Sequence, residues 1–125
     1  MDVLTLERRA SAAIAWITVL TGALQMVMPA RLLPLLGVEP SAAAAQLFAT
    51  VGMFMVLFGA AVLHALRRHE AAAVVLLWSG WQKIGASLLV AWGVMHGVFA
   101  PLALLVATFD FASGLLFFDL RQRGG

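Results

Sequence analysis

Ser79-Gly-Trp-Gln-Lys-Ile-Gly-Ala-Ser87 puts one lysine, Lys83, in the middle of a long apolar run. An ammonium at the centre of a membrane span costs roughly 2.5–3.5 kcal/mol on insertion scales, so it calls for a partner. The only carboxylate at a comparable depth is Asp110, inside the final apolar run. The expected fold is therefore all-α and integral to a membrane. Four transmembrane helices form an antiparallel up-down bundle around a Lys83–Asp110 pair, with a short interfacial segment after the first helix.

Composition agrees with this class. Hydrophobic residues make up 63% of the 125 and charged residues 11%, with a mean hydropathy of +1.00. A soluble domain has about 25% charged residues, so too little polar surface is present to cover a water-facing fold. A pI near 10.5 would fit a nucleic-acid binder, but the formal charge is only +2. Six of the eight basic residues stand in clusters at the ends of apolar runs, where they act as topology signals. Cysteine is absent, which excludes disulfides and thiolate metal sites.

Outward from Lys83, four spans are expected at about 10–28, 42–66, 71–95 and 101–120, making one domain. The first follows a polar lead ending in Glu7-Arg8-Arg9 and stops at Pro29; it has no clean signal-peptidase site, so it is expected to be retained. On it Thr18, Thr21, Gly22 and Gln25 share one helical stripe that should face protein. Pro29 to Pro40 is too short and too broken to cross and suits the headgroup region. Ser41 is the expected N-cap of the second span, where Ala45, Ala49 and Gly52 give spacing for close packing. Gly93 and Gly97 form a GxxxG at the end of the third span, and Pro101 is expected in the first turn of the fourth. Arg8, Arg9, Arg67, Arg68, Arg121 and Arg123 then fall on one side and only Arg31 on the other. The positive-inside rule puts both termini in the cytoplasm, and the expected location is the bacterial inner membrane.

Depth allows the central pair to meet. Lys83 and Asp110 lie roughly 18 and 14 Å from the outer ends of adjacent helices, a difference that a lysine stem spans. Ser79, Ser87 and Ser113 flank the pair on their helix faces. Gln25 and Gln46 occupy the outer parts of their helices, with Gln82 beside Lys83. These eight residues are the candidate ligand-binding or proton-handling set; the competing reading is a structural ion pair that fixes helix register, with the glutamines as interhelical glue. The aromatic residues Trp78, Trp81, Phe109, Phe111, Phe117 and Phe118 could line a quinone or lipid pocket, although aromatic packing of helix contacts is the commoner use. His64 and His96 fall at opposite membrane faces and cannot bracket one haem within the chain. No metal site, nucleophile–base set or phosphate loop is present in the sequence.

The layout is a short basic lead, one span, the Pro29 to Gly37 segment, then three tightly linked spans with Trp81-Gln-Lys83 in the third and Asp110 in the fourth. It resembles the small four-helix bacterial membrane proteins called DoxX-like. DoxX itself is a membrane subunit of a thiosulfate:quinone oxidoreductase, and most of its relatives have no assigned activity. The resemblance thus implies the fold and a neighbourhood of quinone chemistry, and it transfers no residue role. Small multidrug transporters also have four spans, but they carry an acidic residue in the first, where this chain offers only Gln25.

The expected role is a non-catalytic membrane subunit or a lipophile- or quinone-binding protein. One alternative is a proton-coupled transporter acting as a dimer; another is a membrane-embedded isomerase or oxidoreductase. No cofactor is expected, a quinone or lipid being the candidate ligand. The expected partners are the lipid bilayer and either a second copy of the chain or a larger membrane complex, with no nucleic acid.

Overall fold

The computed structural model describes residues 2–124. Among them, four helices are each long and apolar enough to cross a bilayer: α1 (Val3–Val27), α3 (Ala42–Arg68), α4 (Ala72–Met95) and α5 (Ala103–Gln122). A single turn, α2 (Pro29–Leu32), continues into a 3-10 turn at Leu33–Leu36 between the first two long helices. The chain is a multi-pass, all-helical membrane bundle.

Helix α1 begins seven residues before the expected Ala10. Asp2 caps it by accepting a hydrogen bond from the Thr5 backbone N–H at 2.8 Å, so Glu7, Arg8 and Arg9 belong to the helix. A polar stretch can be helical when it carries its own cap, and hydropathy alone does not register that. Ser41 caps α3 in the same way, through the Ala44 N–H at 3.0 Å. Arg67 and Arg68 form the last turn of α3, and the turn is left to His69, Glu70 and Ala71.

The remaining differences lie at the end away from the arginine clusters. Gly97 has φ +74, a left-handed conformation that ends α4, while a Cβ on Gly93 would strike the Phe99 ring. The Gly93–Gly97 spacing thus closes a loop and does not pack two helices. Pro101 stands in the turn ahead of α5, where its carbonyl accepts from the Leu104 N–H at 2.9 Å.

The bundle consists of two helix pairs. Helix α1 runs against α3 and α4 against α5 over most of their lengths, and the pairs touch each other far less. Small residues explain the closeness within each pair. A Cβ on Gly22 would lie 2.5 Å from the Gly52 carbonyl oxygen, and one on Gly114 2.9 Å from that of Gly80.

Between the pairs, the core at the arginine-rich end is Ala15, Val62, Leu66, Leu76, Phe117 and Leu120. Polar bonds fasten both ends. At the arginine-rich end Arg123 Nε meets Glu7 Oε1 at 3.0 Å, while Arg121 ties α5 to α4 within its own pair through the Ala73 carbonyl at 3.0 Å. At the other end the Ala100 N–H donates to the Leu36 carbonyl at 2.7 Å. The middle of the bundle is where the pairs part.

Candidate functional site

Where the pairs separate, a cavity of about 380 Å³ opens, lined from α1, α3, α4 and α5. Its polar lining is Thr18, Thr21, Gln25, Gln82, Lys83 and Asp110. Its rim includes Ile17, Val51, Leu105 and Val106, all exposed apolar side chains at the height of the spans. The volume falls within the range of small-molecule pockets.

Lys83 is 4% exposed. Its Nζ donates to Thr18 Oγ1 at 2.7 Å and lies 3.4 Å from Asp110 Oδ1. The first distance is that of a strong charge-assisted bond; the second is long for one. Thr18 in turn donates to the Ile14 carbonyl at 2.9 Å, so its lone pairs are turned to the ammonium. The Phe109 ring centroid lies 5.6 Å from Nζ, within reach of a cation–π contact. The amine therefore has a hydroxyl, a carboxylate and an aromatic face around it.

The glutamines separate into three situations. Gln25 is buried and donates through Nε2 to the Phe48 carbonyl at 3.2 Å, which ties α1 to α3 across the cavity wall. Gln82 lines the cavity and keeps a buried Oε1 that has no hydrogen-bond partner among the described residues. Gln46 is exposed and does not line the cavity. It stands nine residues before Met55, which with Val51 supplies the α3 part of the lining. At about 100° per residue that spacing is roughly half a turn, so Gln46 points the opposite way. Its depth suits the cavity, but its direction around the helix does not.

The serines do not join the site. Ser87 and Ser113 are buried, but their hydroxyls donate back to the Ile84 and Phe109 carbonyls, each at 2.7 Å. Ser79 faces the other side of Lys83, against a void of about 10 Å³ shared with Phe58, Val62 and Phe117. That space holds at most one water. Thus Lys83, Asp110, Gln25 and Gln82 are brought to one cavity, while Gln46, Ser79, Ser87 and Ser113 are not.

Thr18 joins the site as well, at a depth that its place in the sequence already gives. It lies nine residues from the C-terminal end of α1, about 14 Å, the same level as Asp110. On the stripe expected to face protein, Thr18, Gly22 and Gln25 are buried, and Thr21 reaches the cavity while remaining exposed. Among the histidines, His96 stacks on Trp92 with ring centroids 4.0 Å apart, and His69 contacts Arg8 at 3.1 Å. Neither approaches the cavity. No family model matches this chain, and no curated protein or solved structure matches it.

Proposed function

We propose that this is a bacterial inner-membrane protein, both termini cytoplasmic, that holds a lipophile of the quinone class by its polar head in the central cavity. Such a role suits a non-catalytic subunit beside quinone redox chemistry, as the resemblance to DoxX-like proteins implies. The observation that carries the reading is the join of two surfaces in one space. Lys83, Asp110 and the Gln82 side chain make the inner wall polar, while the rim is apolar and faces lipid. A ring carbonyl or hydroxyl can satisfy the first, and a hydrocarbon tail can leave past the second. The orientation rests on six arginines at one end of the bundle against one at the other.

The test is organic extraction and mass spectrometry of the purified protein, with melting of the detergent-solubilised chain in the presence of short-tailed quinones. The expected result is a co-extracted lipophile and a rise in Tm that Lys83→Met and Gln82→Leu remove. No extractable lipophile and no shift in Tm would overturn the reading.

Proton-coupled transport is the second reading, favoured by one observation. The Asp110 side chain is 14% exposed against 5% for Lys83, so the carboxylate keeps access to the cavity. Substrate-driven proton movement in proteoliposomes that Asp110→Asn abolishes would decide for it.

A further inference from the structure

Helices α1 and α3 also form a groove at their arginine-rich end, away from the central cavity. Two adjoining cavities of about 340 and 310 Å³ share Trp16, Leu63 and Arg67. Arg68 edges the first, and Arg8 with Arg9 edges the second. From the groove we infer that this is a binding site for the phosphodiester headgroup of an anionic phospholipid, with its acyl chains lying along Trp16, Ala60 and Leu63.

Charge is the first ground. The ion pairs among the described residues are Lys83–Asp110, Arg123–Glu7 and Arg123–Asp119, so none of these four arginines meets a carboxylate. Arg8 is held in place by its bond to the Leu66 carbonyl at 2.7 Å and its contact with His69 Nδ1 at 3.1 Å. That fixes one guanidinium at the groove and leaves its remaining N–H groups free for an oxyanion. Arg9, Arg67 and Arg68 are exposed beside it. The acidic residue of the adjacent turn, Glu70, is exposed and lines neither cavity.

Shape is the second ground. From Arg8 to Trp16 and from Arg68 to Ala60 the two antiparallel helices each advance eight residues, about 12 Å of rise. Along that length the lining changes from guanidinium to indole and aliphatic carbon. The change follows the step from headgroup to hydrocarbon, and Trp16 occupies the level where indole rings anchor. A free anion would use only the arginines, and a soluble acidic peptide has nothing to lay along Leu63. An anionic lipid satisfies both halves, as basic pockets between membrane helices do.

The experiment measures lipid retention by native mass spectrometry, comparing phosphatidylglycerol with phosphatidylcholine of the same acyl chains. Wild-type protein should keep phosphatidylglycerol and lose phosphatidylcholine. The triple variant Arg9→Gln, Arg67→Gln, Arg68→Gln should bind phosphatidylglycerol on the order of 100-fold more weakly, from the usual contribution of each basic residue near an anionic surface. Arg8 is left in place because it joins α1 to the end of α3. Excess inorganic phosphate should not displace the lipid. Equal retention of the two lipids, an unchanged triple variant, or full competition by phosphate would each overturn the assignment. Should the triple variant fail to insert, wild-type melting in the two lipids decides: a higher Tm in phosphatidylglycerol supports the site, and equal values refute it.

Discussion

The Lys83 ammonium lies 2.7 Å from the Thr18 hydroxyl, closer than the 3.4 Å that separates it from Asp110. The amine is thus held across the boundary between the two helix pairs, by a residue of α1 and a residue of α5. Thr18→Val keeps the side-chain shape and deletes the acceptor. It should cost roughly 1.5–3 kcal/mol, the range for a hydrogen bond to a charged group. Reversible unfolding in mixed micelles measures this, and Thr18→Ser should recover most of the loss. Equal stability of Thr18→Val and wild type would show that the bond contributes nothing.

Removing the carboxylate is expected to be worse. Asp110→Ala leaves a buried ammonium with only a hydroxyl and a ring face, a loss of about 3–5 kcal/mol for one partner of a buried pair. If the pair is purely structural, Lys83→Met combined with Asp110→Leu restores stability, because two apolar side chains need no counter-charge. A single mutant as stable as wild type would mean that the two groups do not depend on each other.

The crossing of α1 and α3 gives a steric prediction. Gly22→Ala or Gly52→Ala puts a methyl 2.5 Å from a backbone oxygen of the partner helix. The helices must separate, at a cost of about 1–3 kcal/mol. Gly85→Ala is the control, since nothing lies within 4 Å of its would-be Cβ. Its unfolding midpoint should equal or slightly exceed that of wild type.

The turn between α3 and α4 holds two non-glycine residues, His69 and Ala71, at φ +53. The left-handed region costs an L-residue roughly 1–2 kcal/mol, so Ala71→Gly should raise the melting temperature or leave it unchanged despite the added freedom of the unfolded chain. A fall in Tm would indicate that Ala71 is unstrained there.

One pH effect is expected at the tip of α1. The Thr5 backbone N–H holds the Asp2 carboxyl below its ordinary value of 3.8. A lowered folded-state value means that the cap's contribution is complete above the unfolded value and is lost as pH falls through the lower folded one. Hydrogen exchange at the Thr5 amide, corrected for its intrinsic rate, should lose protection over that acidic window. Asp2→Asn should flatten the dependence.

The four spans were legible because the lipid demands long apolar runs, and those runs end where arginines and prolines stand. The start of α1 was not, because Glu7-Arg8-Arg9 is polar and hydropathy does not register a capped polar turn. Within the site, Lys83 and Asp110 stand out by their charge, whereas Thr18 carries none and reads only as one member of a protein-facing stripe. Gln46 has the right rise along the helix axis for the site but the wrong rotation around it. Ser87 and Ser113 failed because a hydroxyl within a helix can bond its own preceding turn, and sequence does not reveal when it does so.

The division into pairs bears on how the chain is made. Synthesis delivers one hairpin, α1 with α3, and then a second, α4 with α5. Lys83 and Asp110 belong to the same hairpin, so the ammonium has its counter-charge within that unit, while its nearer partner, Thr18, belongs to the earlier one. The shorter of the amine's two bonds therefore exists only once the two hairpins have come together.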